Sequence, residues 1–222
     1  MKDSKSEKDW KIGNYQVYSV QSGRWRQNSY IIQHCPSSEL LLVDPGGEED
    51  QLIEIINNVG GNLRLILLTH GHYDHVGALN KICKQFSLPF FIHSGDKRLL
   101  KQAQLYGVSF EKRDIQVPKD HRFLETEKLR WKGDPIQFLH TPGHTQGGVC
   151  LYWEGIAFTG DTLLHQKVVR ADLPGADSEL LAESITSLLQ VLPHDTLIFP
   201  GHGRPWAVSD ARHWWKENSS NP

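Results

Sequence analysis

Three histidines and one aspartate occupy four of the six positions 70–75, within the segment THGHYDHVG, residues 69–77. They are His70, His72, Asp74 and His75, and they directly follow a mostly apolar run at residues 63–68. Imidazole and carboxylate groups bind zinc, iron, manganese and related divalent ions. The spacing therefore predicts a metal site on the loop that follows this run.

Three further positions have the same local setting. His144 lies in TPGHT, Asp161 in TGDTLL and His202 in PGHG. Each follows an apolar stretch and is flanked by glycine, proline or threonine, which favours a tight turn at the end of a strand. These three side chains are therefore candidates for the same metal site.

Seven such side chains are too many for one ion, because protein zinc sites are typically four-coordinate. Two adjacent ions that share one carboxylate can use them all. The candidate set contains no thiolate and needs water to complete it, which is typical of catalytic sites. Two ions about 3.5–4 Å apart lower the pKa of a shared water to about 7, and the resulting hydroxide is a nucleophile at neutral pH.

Patterns along the chain predict the elements that position these residues. In the first half we expect strands over residues 15–21, 28–34, 39–47, 63–70 and 89–94. The helical spacing of apolar residues predicts helices over 48–61, 74–86 and 95–107, the last closed by Gly107. Residues 108–128 have no clear pattern.

In the second half, residues 128–145 have a hairpin pattern, and two strands flank a turn at 153–155. A helix is predicted over 177–192, a last strand over 195–203 and a short terminal helix over 209–218. The candidate ligands thus fall at the carboxyl ends of strands, where open α/β sheets commonly bind ligands. We expect one domain over residues 10–222, built of two αβ halves that share a cleft, behind a flexible tail at residues 1–9.

Composition excludes several classes of protein. The chain is 38% hydrophobic and 23% charged with a net charge of -2, and it has no long basic run that would indicate a nucleic-acid or membrane-surface partner. No apolar run approaches the roughly 20 residues of a membrane span. The charged N-terminus lacks the apolar segment of a signal peptide, and the three cysteines are far apart. We expect a cytoplasmic monomer or homodimer that acts on a small molecule.

The motifs DPGG, THGHYDHVG, TPGHT, GDTLL and PGHG together resemble those of the metallo-β-lactamase superfamily. They are most similar to its glyoxalase II-like branch, the hydroxyacylglutathione hydrolase-like enzymes, in a single-domain form. The resemblance extends from about residue 12 to residue 208. It implies an α/β (α+β) fold, the four-layer αββα sandwich, in which helices flank two mixed β-sheets.

The resemblance also assigns the ligands. The first ion is expected on His70, His72 and His144, the second on Asp74, His75 and His202, with Asp161 bridging the pair. Asp74 and Asp161 become the catalytic residues, with Asp74 accepting a proton from the water or passing one to the leaving group. Asp44 is expected to orient a ligand histidine. The implied ions are zinc, with iron or manganese as alternatives.

A thioester such as a hydroxyacylglutathione is the substrate that this branch implies. Two departures from full-length glyoxalase II concern glutathione: Gly148 stands where that enzyme tends to have histidine, and the chain ends soon after PGHGRPW, before most of the helical domain that holds glutathione. The alternatives are a mononuclear iron persulfide dioxygenase, a lactone or ester hydrolase of the same superfamily, and a non-catalytic ligand-binding protein on the same fold. True β-lactamases are disfavoured because they replace the bridging aspartate, which is present here as Asp161.

Four residues near the ligands are candidates for substrate contact: Tyr73, His165, Arg170 and Arg204. Tyr73 lies between two ligands and is expected to line the pocket. His165 is expected either to touch substrate or to lie on a solvated loop. Arg170 is expected either to bind an anionic substrate or to pair with Asp172.

Overall fold

The computed structural model describes residues 8–169 and 175–219. Backbone contacts divide the chain into two compact units. The first unit comprises Met1–Leu68, His72–Phe91 and Arg98–Arg122, and the second comprises Thr69–Gly71, Ile92–Lys97 and Phe123–Pro222. The prediction of a single domain over residues 10–222 stays a prediction, and each unit is described by itself.

A seven-stranded mixed sheet runs in sequence order from β1 to β7 and supplies most of the first unit. Strands β1 to β4 form an antiparallel meander, and β4, β5 and β6 pair in parallel. The strands are β1 Lys8–Ile12, β2 Tyr15–Ser22, β3 Gln27–His34, β4 Glu39–Val43, β5 Asn62–Leu67, β6 Phe90–Ile92 and β7 His121–Phe123. Lys8 and Asp9 therefore begin β1 rather than end a flexible tail, and residues 1–7 lie outside the described residues.

The first helix, α1 (Glu49–Asn58), begins with two acidic residues at the positive end of its dipole. It buries Leu52, Ile55 and Ile56, which are spaced along one face of the helix. The single helix predicted over residues 74–86 is two helices, α2 (Tyr73–Val76) and α3 (Leu79–Phe86). Gly77 lies at the break, where a β-carbon would come 2.3 Å from the carbonyl oxygen of Gly46, so the close approach of the two backbones requires glycine.

The helix α4 (Lys97–Glu111) does not end at Gly107, which corrects the prediction from the sequence. Gly107 lies inside the helix, and a β-carbon there would come 2.6 Å from the Ile115 side chain and 2.8 Å from the carbonyl oxygen of Arg113. The glycine makes room for the chain that returns along the helix and does not act as a cap.

A five-stranded mixed sheet of order β10 to β14 forms the centre of the second unit, and a short hairpin of β8 and β9 accompanies it. The pair β12 and β13 is parallel, and the other pairs of this sheet are antiparallel. The strands are β8 Arg130–Trp131, β9 Asp134–Pro135, β10 Gln137–His140, β11 Val149–Trp153, β12 Ile156–Gly160, β13 Leu197–Pro200 and β14 Trp206–Ala207.

Two helices complete the second unit. In α5 (Ser178–Val191), Asp177 caps the N-terminus by accepting a hydrogen bond from the Leu180 amide. α5 buries Leu181, Ile185, Leu188 and Leu189, and Leu180 is exposed. The helix α6 (Val208–Asn218) buries Val208, Ala211 and Trp215. The buried faces of both helices belong to one core. Its other members are Cys150, Ala157, Leu163, Leu192, Ile198 and Trp206.

The two mixed sheets and the helices confirm the predicted α/β class. No helix in the described parts of the chain combines the length and the apolarity that a membrane span requires.

Candidate metal centre

Four of the predicted ligands lie together in the second unit: His70, His144, Asp161 and His202. The rings of His70 and His144 meet edge to face with their centroids 5.1 Å apart. The Oδ2 atom of Asp161 lies 3.6 Å from Nε2 of His144 and 3.5 Å from Nε2 of His202. One carboxylate oxygen thus lies close to two imidazole nitrogens.

Each of these two distances suits a pair of donor atoms that bind the same metal ion. A direct hydrogen bond between such atoms measures about 2.7–3.2 Å, shorter than either of these separations. Donor atoms that bind one tetrahedral ion at about 2.0–2.2 Å are about 3.3–3.6 Å apart. The spacing and the chemistry of the donors therefore fit a divalent cation.

The register of two parallel strands positions Asp161 and His202. Gly160, the last residue of β12, pairs with Pro200, the last residue of β13, and the Gly201 amide donates to the Gly160 carbonyl at 2.8 Å. Parallel strands that end in register present the residues that follow them at the same sheet edge. Asp161, the first residue after β12, and His202, the second after β13, therefore leave the sheet at one edge. Gly160 has a φ of 49° and its missing β-carbon leaves room for the Thr69 side chain, whose Oγ1 would be 2.3 Å away.

The loop after β5 places His70, a buried residue. The Thr69 carbonyl accepts a hydrogen bond from the Val149 amide at 2.9 Å, and the Thr69 hydroxyl lies 3.1 Å from Nδ1 of His70. This contact at Nδ1 leaves Nε2 as the nitrogen that would bind a metal. A small pocket here is lined by Thr69, His70, His144, Gly148, Val149, Thr159, Asp161 and Thr162.

Asp96 ties together the two loops that carry His70 and His144. Its carboxylate accepts hydrogen bonds from the Gly71 amide at 2.8 Å, from the Thr145 hydroxyl at 2.9 Å and from the Gly147 amide at 2.7 Å. Asp96 is fully buried, and each of its partners is next to a predicted ligand or within three residues of one. Sequence reasoning missed Asp96; the available signal was an acidic residue in HSGD, just after a buried strand.

The turn that carries His144 is fixed on the N-terminus of α5. Gly143 has a φ of 129°, and a β-carbon there would come 2.3 Å from the Leu181 amide nitrogen. The Asp177 amide donates to the Gly143 carbonyl at 2.7 Å, and the Ser184 hydroxyl donates to the Pro142 carbonyl at 2.6 Å. The helix therefore determines where the His144 side chain begins.

In the first unit, His75 and Asp44 form a buried pair. Nδ1 of His75 lies 3.0 Å from Oδ2 of Asp44, a hydrogen-bond distance. Asp44 follows β4 with a φ of 49°, a conformation that aspartate tolerates better than most residues. This contact at Nδ1 leaves Nε2 of His75 as the ring nitrogen that could bind a metal, and the orienting role of Asp44 stays a prediction. A ligand atom of Asp74 lies within 4.8 Å of one of His75.

The segment Asp44-Pro45-Gly46-Gly47 packs directly beneath the backbone of Asp74. A β-carbon on Gly46 would come 1.8 Å from the Asp74 carbonyl oxygen, and the Ala78 amide donates to the Pro45 carbonyl at 2.9 Å. Arg113 donates to the carbonyls of Gly46 and Gly77 and forms an ion pair with Glu49 at 2.8 Å. Sequence reasoning missed Arg113, which lies in the stretch that had no clear pattern.

The other predicted residue of this loop, His72, lies at the N-cap position of α2 and is half-buried. Tyr73 is buried, and its hydroxyl accepts a hydrogen bond from Nε1 of Trp25 at 2.6 Å. Burial, followed by the charge of Asp74, raises the pKa of Tyr73 to about 12, so its phenol stays protonated at neutral pH. Its ring stacks on Phe110 with the centroids 5.8 Å apart.

Two of the predicted substrate residues contact each other in the second unit. Nε of Arg204 donates to Nε2 of His165 at 2.9 Å, and Arg204 is exposed. Burial, and next the charge of Arg204, lower the pKa of His165, which agrees with a neutral ring that accepts this bond. Arg170 lies outside the described residues.

Comparisons with known proteins give one matching family model and several similar chains. The model of the metallo-beta-lactamase superfamily matches residues 22–202. The hydroxyacylglutathione hydrolase GloC of Haemophilus influenzae is 36% identical over 188 residues, which cover 82% of this chain and 85% of that protein.

Two solved structures are also similar. The structure of TTHA1623 in a di-iron-bound form is 35% identical, with a TM-score of 0.78, and covers 87% of this chain and 96% of that one. The structure of the BLEG-1 B3 metallo-beta-lactamase is 32% identical, with a TM-score of 0.81, and covers 89% and 96% of the two chains.

Proposed function

Because the chain belongs to the metallo-β-lactamase superfamily, we propose that it is a dinuclear metal-dependent hydrolase whose substrate is a thioester. Its membership and its histidine and aspartate clusters support metal-dependent hydrolysis broadly. The observation that carries the proposal is the single Asp161 oxygen 3.5 and 3.6 Å from the imidazoles of His202 and His144.

We assign one ion to His70, His72 and His144 and the other to Asp74, His75 and His202, with Asp161 between them. Two divalent ions held by these residues would supply a water of lowered pKa and positive charge for the developing oxyanion. Zinc is the proposed metal. The similar protein TTHA1623 has a di-iron-bound form, so iron is the main alternative and manganese another.

The residues of the chain hold the reacting groups in place. Asp44 and Thr69 contact the Nδ1 atoms of His75 and His70, which leaves each Nε2 atom as the metal-binding nitrogen. Asp74 is the proposed group that accepts a proton from the attacking water and passes one to the departing thiolate sulfur. No serine or cysteine nucleophile takes part in this assignment.

A thioester is favoured because a similar protein is a hydroxyacylglutathione hydrolase. Arg204 and neutral His165 are proposed to contact an anionic part of the thiol. The proposed setting is the cytoplasm, with a small molecule as the partner.

Metal analysis of the purified protein together with a substrate panel tests this proposal. We expect two zinc ions per chain, hydrolysis of thioesters, and no turnover by a folded Asp161→Ala variant. Preferential cleavage of lactones, or of β-lactams as the name of the similar BLEG-1 B3 metallo-beta-lactamase suggests, would replace the thioester. One iron per chain with oxygen uptake on a persulfide would replace hydrolysis altogether, and metal binding without any turnover would indicate a ligand-binding protein.

A further inference from the structure

An aromatic surface adjoins the loop that carries His72 and Asp74 in the first unit. It consists of Trp25, in the turn between β2 and β3, Tyr73 in α2, and Tyr106 and Phe110 in α4. Trp25 and Phe110 are 51% and 50% exposed. Exposed apolar side chains that cluster beside polar ones mark binding sites more often than scattered ones do.

The four rings are held as one group. Nε1 of Trp25 donates to the Tyr73 hydroxyl at 2.6 Å, and Tyr73 stacks on Phe110. Phe110 in turn stacks on Tyr106 with the centroids 6.1 Å apart. Such pairs are stabilising at centroid separations of about 4.5–7 Å, so the surface is preorganised rather than a chance exposure of separate rings.

The turn that carries Trp25 is attached to the end of α4. The Arg24 amide donates to Oε1 of Glu111 at 3.1 Å, and a β-carbon on Gly23 would come 2.9 Å from the same oxygen. The Arg24 guanidinium lies 5.2 Å from the centre of the Trp25 ring and covers one face. These contacts hold Trp25 beside Tyr73 while half of its side chain stays exposed.

We propose that this aromatic surface binds the acyl group of the substrate, which is therefore a thioester with an apolar acyl chain or ring. The inference rests on the proposed function. Tyr73 lies between His72 and Asp74 in the chain, so a group on this surface is close to the carbonyl that is attacked. The acyl chain begins at that carbonyl, and it gains most from burial against aromatic rings.

Acetyl and octanoyl thioesters of N-acetylcysteamine test the inference. For the wild-type protein we expect kcat/KM to be higher for octanoyl than for acetyl. Phe110→Ala should reduce this ratio about 10-fold, since one ring contributes on the order of 1.5 kcal/mol of apolar burial. Val108→Ala is the matched control. Val108 is 51% exposed on the same helix, but it lies on nearly the opposite face from Phe110, since two residues turn the helix by about 200°.

A non-hydrolysable octyl thioether of the same thiol gives a readout without turnover. Calorimetry should show tighter binding than for the ethyl thioether, and Phe110→Ala should remove the difference.

Equal rates for both esters, unchanged by Phe110→Ala, would overturn the inference while acetyl turnover upheld the proposed function. Absence of all thioester turnover would refute the function, and the thioether titration would still decide whether the surface binds apolar chains. A dimer that Phe110→Ala converts to a monomer, with no change in acyl preference, would assign the surface to a second copy of the chain and also overturn the inference.

Discussion

Nδ1 of the buried His75 ring lies 3.0 Å from Oδ2 of Asp44, which is itself buried at the end of β4. The bond fixes the ring orientation and the tautomer of a proposed ligand, and a carboxylate partner makes the other nitrogen a stronger donor to a metal. The affinity of the second ion should therefore depend on a residue that does not bind it.

We predict that Asp44→Asn weakens binding of the second ion about 10-fold or more. Asparagine tolerates the left-handed conformation at this position, so the fold should persist. Competition with a chromogenic chelator measures the affinity. Asp50→Asn is the control, since Asp50 is an exposed residue that pairs with Lys81; equal affinities in wild type and Asp44→Asn would contradict the predicted role.

Asp96→Asn should both destabilise the protein and weaken the binding of the first ion. The carboxylate of Asp96 accepts three hydrogen bonds, and the amide of asparagine would turn an N–H toward one of these donors. The lost bond should lower the free energy of unfolding by about 1–3 kcal/mol. Denaturant unfolding and chelator competition measure the two effects.

Asp177→Ala separates the two effects of Asp96→Asn. It removes the side-chain cap of α5 at about 1 kcal/mol but keeps the backbone bond from the Asp177 amide to Gly143 and the contacts of Asp96, so its metal affinity should equal that of the wild type. If Asp96→Asn also kept the wild-type affinity, Asp96 would serve stability alone.

Gly46→Ala is expected to cost more than about 3 kcal/mol, beyond ordinary overpacking, because the new β-carbon would overlap the backbone of Asp74. Gly60→Ala is the comparison: Gly60 has a φ of 69°, and a β-carbon there would have no atom within 4 Å. Its cost should be about 1–2 kcal/mol, that of the left-handed conformation alone. Urea unfolding of both variants measures the difference, and similar losses would show that the loop beneath Asp74 relaxes freely.

His93 should make the protein less stable at acidic pH. Burial is the main cause that lowers its pKa from 6.5, and the stacked His140 ring, 4.3 Å away, adds to it. Its neutral Nδ1 accepts a hydrogen bond from the Gly95 amide, which protonation there would remove. Since the unfolded chain binds the proton more readily, this contribution is present above pH 6.5 and is lost as the pH falls through the folded-state pKa.

His93→Asn keeps a side-chain acceptor and removes the titration. We expect it to reduce the loss of unfolding free energy between about pH 7.5 and about pH 5. An NMR titration of the wild-type ring checks the direction of the pKa, and a midpoint above 6.5 would reverse the sign.

The sequence patterns predicted much of the fold because strand alternation and helical spacing depend on residues that are neighbours in the chain. Alternation placed β2 and β3 within one residue of their observed ends, and the helical spacing of apolar residues placed both ends of α5 equally well. The errors arose where a distant segment decides the local structure. Gly77 and Gly107 meet the backbone of Gly46 and the side chain of Ile115, and neither contact is visible in the spacing of nearby residues.

The site divides in the same way. The ligand candidates have a chemical signature and a position after apolar strands, so the sequence alone could single them out. Asp96 and Arg113 hold the loops that carry these candidates through hydrogen bonds to backbone groups. Backbone amides and carbonyls occur in every sequence, so they give no signal. Only the folded chain shows which amides and carbonyls those side chains reach.

The paired ends of β12 and β13 have a consequence for how the protein acquires its metal. Gly160 and Pro200 are held opposite each other by the sheet, so the separation of Asp161 and His202 is determined by backbone hydrogen bonding. In small zinc domains the ion organises the chain, and removing it unfolds them. Here the backbone pairing of two strands sets the separation of two proposed ligands. We therefore predict that metal loading follows simple second-order kinetics and that an emptied protein takes up a new ion without refolding.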